Sequence, residues 1–192
     1  TGLGTNVDVL LDAIDEVGID SLDAILTTHI HLDHAGGAGL LAEAFPDATV
    51  YVHDIGARHL VDPSRLVAGT KAAVGDQWQY YVEPTPVPEE RIESVEGGDE
   101  VDLGDRTIDV IHAPGHAPHQ VVFHDRTDGV LFSGDAGGIR PEGADDLFPT
   151  SPPVNFDLEA CLADAETIAE RNPAYICFGH FGHAAFSPDL MA

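Results

Sequence analysis

Cations are what this sequence has least of. Its 192 residues hold 34 aspartates and glutamates against 8 lysines and arginines, Lys71 is the single lysine, and the formal net charge is −26. That shortage argues against a nucleic-acid partner, whose phosphate backbone is bound through Lys and Arg. Long apolar runs are missing as well. None approaches the roughly 20 residues that span a bilayer, so no membrane partner is expected. Cysteine is nearly absent: Cys161 and Cys177 stand apart, without the CxxC spacing of a metal or redox pair. Each falls in an apolar stretch, so both are expected as buried thiols, and such sparse use suits a reducing cytoplasm.

The excess acid is not a tail. Carboxylates recur in almost every segment, so their mutual repulsion has to be tolerated throughout, which is easiest where salt shortens the Debye length to a few ångströms. A halophilic cytoplasm is the expected setting; a local cation-binding surface would concentrate its carboxylates instead. Against this charge stands an ordinary 43% of hydrophobic residues. That is enough for one soluble domain over residues 1–192 that folds without disulfide staples.

Periodicity alternates between helix and strand. Residues 6–17 place Val7, Leu10, Leu11, Ile14 and Val17 on one helical face, with Gly18 set to end it. A buried strand is expected over 23–28, a helix from Gly36-Gly37 to about Ala44, and a strand over 49–53. Residues 54–81 read as two helical pieces broken at Asp62-Pro63, followed by a proline-rich connector over 84–88. From Arg91 the pattern turns to strands over 92–95, 100–103, 107–112, 120–125 and 129–133. An amphipathic helix over 157–171 presents Leu158, Cys161, Leu162, Ala165, Ile168 and Ala169, and a last strand covers 175–178.

Four of these strands run out into residues that bind metals: Thr28 into His29, His112 towards His116, Ser133 towards Asp135, and Phe178 towards His180. Strand ends hold side chains in fixed geometry while the loops leave access for a substrate. The densest signal is His29-Ile30-His31-Leu32-Asp33-His34, three imidazoles and a carboxylate within six residues. Those are the nitrogen and oxygen ligands that zinc-like cations take. In an extended segment His29 and His31 point to one side, and the Gly36-Gly37 turn lets Asp33 and His34 reach the same cavity. His53, His59, His112 and His124 have no such constellation and are assigned to packing or surface. His119 and His183 neighbour candidate ligands in sequence.

The ordered set Thr28 to Gly37, Ala113-Pro114-Gly115-His116, Ser133-Gly134-Asp135 and Phe178-Gly179-His180 resembles the metallo-β-lactamase superfamily. Residues 55–65 and 114–119 are similar to a glyoxalase II-like subgroup of hydrolases. The resemblance implies an α/β fold, the αββα four-layer sandwich, with its N-terminal strands missing, because Thr1-Gly2 resembles the tail of an element that those strands precede. It implies two divalent ions, zinc as first choice and iron or manganese as alternatives. His29, His31 and His116 would hold one ion, Asp33, His34 and His180 the other, with Asp135 bridging and Asp33 and Asp135 as the catalytic carboxylates. The implied activity is attack of a metal-bound hydroxide on a small ester, thioester or lactone.

Glutathione specificity is not expected, since twelve residues after His180 leave no glutathione-binding helical domain. A homo-oligomer is compatible with the sequence. A second reading is a mononuclear iron persulfide dioxygenase, against which the intact Asp33, His34 and His180 set argues. A third is a shortened chain that binds metal without activity. Substrate specificity is expected from residues 54–88 and 137–153.

Overall fold

The structure is a computed structural model describing residues 1–141, 143–144, 146–152 and 155–191. The chain divides into two compact units, Thr1–Val95 and Glu96–Ala192. Among the described residues, no helix is long and apolar enough to cross a membrane.

In the first unit, a 3-10 turn leads into helix α1 (Val7–Glu16). Gly18, at φ +76°, ends it: the Gly18 N–H donates to the Asp15 carbonyl and the Ile19 N–H to the Ile14 carbonyl. This paired closure needs a left-handed residue at that position, which glycine supplies at little cost. Because the helix stops at Glu16, Val17 leaves the apolar face and is 69% exposed, against the expectation, while Val7, Leu10 and Leu11 pack on the core.

Strands β1 (Ala24–Leu26), β2 (Thr49–His53) and β3 (Ile92–Val95) form a parallel sheet in that order, with Ile25 opposite Val50 and Val52 opposite Ser94. Parallel neighbours need helical crossovers. Helices α2 (Leu32–Ala35) and α3 (Ala38–Ala44) join β1 to β2, and α4 (Asp54–Val61) and α5 (Ser64–Val74) lie between β2 and β3. The break between α4 and α5 falls at Asp62-Pro63 as expected. Asp62 is extended, the conformation that a following proline imposes, and its carboxylate accepts the Ser64 N–H. Arg91 donates to the carbonyls of Phe45 and Ala48, so a buried loop end has its acceptors satisfied.

The second unit is built on a six-stranded sheet in sequence order, β4 (Glu100–Asp102), β5 (Thr107–His112), β6 (Val121–Asp125), β7 (Val130–Gly134), β8 (Tyr175–Phe178) and β9 (His183–Ala185). The first four form an antiparallel meander, β8 joins parallel to β7, and β9 returns antiparallel. β9 was not expected, since three residues are too few to show a period of two. Helix α6 (Leu158–Glu170) connects β7 to β8 and sets Ile168 against Ile111, Val122, Leu131 and Ile176.

The buried face of α6 differs from expectation. Leu158 and Leu162 are 59% and 61% exposed, and Asp164 is buried in their stead. Cys161 and Cys177 are free and half-buried rather than buried, and partial burial raises both thiol pKa values. Within the 137–153 loop, Glu142, Asp145 and Pro153 lie outside the described residues.

Candidate metal centre

In the first unit the chain leaves β1 and passes straight into the His-rich segment. Ile30 and Leu32 are buried and anchor it in the core. His29 is fully buried, its ring centroid 4.8 Å from that of His31 and 4.1 Å from that of His34. The Thr28 hydroxyl lies 3.2 Å from His29 Nδ1. The extended conformation stops at His31, which is the N-cap of the one-turn helix α2. That helix, rather than the Gly36-Gly37 turn alone, delivers Asp33 and His34, with Asp33 Oδ2 3.6 Å from His34 Nε2. Residues 1 and 2 brace the turn: the Thr1 hydroxyl and the Gly2 N–H both donate to the His34 carbonyl.

Nearby, Trp78 and Tyr81 stack with centroids 5.7 Å apart, and Lys71 Nζ sits 4.6 Å above the Trp78 ring. Partial burial, then the negative charge of Asp33, raises the Tyr81 pKa, so its hydroxyl stays protonated.

In the second unit the three candidates come from three places. Asp135 follows β7 directly and is 7% exposed, His116 sits in the β5–β6 loop, and His180 follows β8. The Asp135 carboxylate faces two imidazoles, one per oxygen: His116 Nε2 is 3.5 Å from Oδ2 and His180 Nε2 is 3.5 Å from Oδ1. A charged hydrogen bond would close to about 2.7–2.9 Å. Ligand atoms arranged tetrahedrally round an ion at bond lengths of about 2.0–2.1 Å stand roughly 3.3 Å apart. The observed gaps leave room for a shared cation, and the donor set of imidazole nitrogen and carboxylate oxygen fits zinc, iron or manganese.

Supports for this half were not read from the sequence. The Thr150 hydroxyl donates to the Asp135 carbonyl at 2.9 Å, which leaves its lone pairs for the N–H at His116 Nδ1, 3.0 Å away. The Thr150 carbonyl, 3.2 Å from the same nitrogen, can only accept. His116 therefore carries its proton on Nδ1 and turns a bare Nε2 towards Asp135. Such partners set the tautomer and orientation of a ligating histidine.

Helix α6 grips the residue before it. The Asp164 carboxylate accepts the Gly115 N–H at 2.8 Å, and the Asp157 N–H donates to the Gly115 carbonyl at 2.9 Å. A Cβ on Gly115 would lie 2.3 Å from the Cys161 nitrogen, so only glycine fits there. Burial raises the Asp164 pKa; the Gly115 N–H opposes that shift. His112 Nε2 meets the Pro118 carbonyl at 2.9 Å and braces the far side of the loop. Behind it, Gln120 donates to the Ser133 carbonyl and the Ser133 hydroxyl to the Cys177 carbonyl, tying adjacent strand ends together.

Of the remaining histidines, His53 caps α4 by accepting the Ile55 N–H, His119 is half-buried in the His116 loop, and His183 is exposed on β9.

The model of the metallo-β-lactamase superfamily matches residues 1–180, a span containing all seven candidates. The chain belongs to the metallo-β-lactamase superfamily, and its fold is the α/β fold of that superfamily.

Three relatives give this scale. The chain is 29% identical to the metallo-β-lactamase fold-containing protein ST1585 of Sulfurisphaera tokodaii over 198 residues, 98% of this chain and 73% of that protein. Against the solved structure of ST1585 the TM-score is 0.78, covering 90% of this chain and 66% of that one. A hydroxyacylglutathione hydrolase of Aeromonas salmonicida is 30% identical over 74% of this chain and 43% of its own length. The structure of TTHA1623 in a di-iron-bound form is 27% identical, with a TM-score of 0.68 over 93% of this chain and 79% of that one. The superfamily chain thus spans about two thirds of the solved ST1585 chain and under half of the hydrolase.

Proposed function

We propose that the protein is a dinuclear metal-dependent hydrolase of small acyl substrates, esters, thioesters or lactones. His29, His31 and His116 would hold one ion, Asp33, His34 and His180 the other, with Asp135 between them. The observation that carries this reading is the Asp135 carboxylate, which offers one oxygen to each of two imidazoles at the spacing of atoms round an ion. A carboxylate has two oxygens, so Asp135 would suit a pair of ions, which two-metal sites hold about 3.5–4 Å apart. The di-iron form of TTHA1623 supports a two-ion centre and makes iron a candidate beside zinc. The hydroxyacylglutathione hydrolase supports an acyl substrate and the glyoxalase II-like placement.

Bound there, a divalent pair supplies a water acidic enough to deprotonate near neutral pH and a Lewis acid for a carbonyl oxygen. The side chains of the protein do the positioning. Thr150 holds the proton of His116 on Nδ1, and α6 fixes the loop behind it. The half-buried Asp33 carboxylate has an oxygen to accept the proton of an attacking water, and Tyr81, kept protonated, retains a donor for a polar group of the substrate.

The test is reconstitution with zinc, iron or manganese, metal analysis, and assay of the three substrate classes in the natural protein and Asp135→Ala. Two ions per chain and loss of hydrolysis in the variant are expected. Equal activity in both proteins overturns the reading, and one iron per chain points to the dioxygenase instead.

A further inference from the structure

One cation of the second unit has no acidic partner among the described residues. Lys71 lies against Glu83, Arg106 against Asp125 and Asp128, and Arg126 against Glu100 and Asp109, while Arg91 is bound to backbone carbonyls. Arg140 differs: its Nε is buried and has no hydrogen-bond partner among the described residues. A buried donor left without a partner is costly, and proteins keep such groups where a ligand satisfies them.

Arg140 lines a cavity of about 530 Å³ together with Pro141, Ala144, Phe181, Gly182 and His183. Phe181 is in the left-handed region at φ +66° and is 66% exposed. For a bulky residue that conformation is a strained outlier, and here it holds an aromatic ring out into solvent at the cavity wall instead of packing it away. The cavity is built from the two segments that follow candidate ligands, since Phe181 comes directly after His180 and Arg140 five residues after Asp135. An arginine fork at one wall and an exposed ring at another match a ligand with an oxyanion at one end and an apolar body.

We propose that the Arg140–Phe181 cavity is the substrate-recognition site, and that it selects acyl compounds bearing a carboxylate or phosphate on an apolar chain. This deepens the hydrolase reading and rests on it for the word substrate; the anion site itself stands on Arg140 and Phe181. A protein of net charge −26 repels anions at long range, so the Arg140 guanidinium supplies the local attraction such a ligand needs.

The test titrates ¹⁵N-labelled full-length chain, both chelator-treated and metal-loaded, with 4-phenylbutyrate, phenyl phosphate and neutral 4-phenylbutan-1-ol, following the Arg140 Nε–H cross-peak. Saturable movement with the anions and little with the alcohol is expected, the tighter of the two anions identifying the preferred oxyanion. Arg140→Gln should weaken binding about tenfold or more, the loss of one charge-assisted hydrogen bond. Arg140→Lys should recover part of it, and Arg171→Gln should leave it unchanged. An equal response to the alcohol, or equal anion binding in Arg140→Gln, overturns the proposal. In turnover, Arg140→Gln should raise KM for acid-bearing thioesters and leave neutral esters alone. Anion binding that persists without any hydrolysis would sink the hydrolase reading and leave the anion site standing.

Discussion

The two units hold their candidate metal-binding residues in opposite ways. The first has four candidates in one continuous stretch, where an extended segment and a single helical turn follow β1. The second has three, in the β5–β6 loop, at the end of β7 and at the end of β8, spread over more than sixty residues of sequence. A local half depends on one turn being formed. A dispersed half depends on sheet order, on loop braces such as Thr150 and on the grip of α6. The dispersed half should therefore be sensitive to many substitutions that touch no ligand, and the local half to few.

The largest effects should come from the ligands themselves and should not distinguish the halves. His29→Ala and Asp135→Ala are each expected to lower hydrolysis by more than about 100-fold, beyond what loss of an outer support costs. Metal analysis would sharpen the comparison, with Asp135→Ala disturbing both ions and His29→Ala one. Next is Asp164→Ala, which removes the acceptor of the buried Gly115 N–H. A loss of about 1–3 kcal/mol in stability is expected from chemical denaturation, together with weaker metal retention. If Asp164→Ala unfolds at the same denaturant concentration as the natural protein, the dispersed half does not depend on the grip of α6.

Thr150→Val should lower metal affinity by about tenfold and hydrolysis with it, by freeing the His116 ring. The smallest effect concerns acid stability. Burial alone would raise the Asp125 pKa, but the Thr127 N–H, the Arg106 guanidinium and the Asp128 N–H outweigh it and hold the carboxyl below its ordinary value. A carboxyl depressed in the folded state contributes stability that is present above its unfolded pKa and is lost as pH falls through the folded one. Arg106→Gln should therefore lower thermal stability at neutral pH and narrow the difference below pH about 4, where the unfolded carboxyl itself protonates.

The local candidates could be picked out in the sequence because they stand side by side, and the dispersed ones because each follows, within four residues, a strand that the apolar pattern locates. The supports were not. Thr150 lies in a loop with no period to read. Asp164 was hidden by an ambiguity in α6: Cys161, Ala165 and Ile168 belong equally to a face completed by Leu158 and Leu162 or to one completed by Asp164. Hydrophobicity favours the first. The structure takes the second because the Gly115 N–H needs an acceptor, a requirement set far away in sequence. Helix α2 and strand β9 escaped for a simpler reason, since four and three residues carry too little periodicity.

The meander of β4 to β7 also bears on the order in which the molecule forms. Its strands are joined by connections of at most eight residues, whereas β2 reaches β3 only through the long crossover containing α4 and α5, and β7 reaches β8 only through α6. Contacts between near neighbours in sequence cost less loop entropy and form sooner. In pulsed hydrogen exchange during refolding, amides of β5 and β6 should gain protection before those of β1 and β8. His116 and Asp135 would then be neighbours while His180 is still finding its place, and the centre would mature from the meander outward.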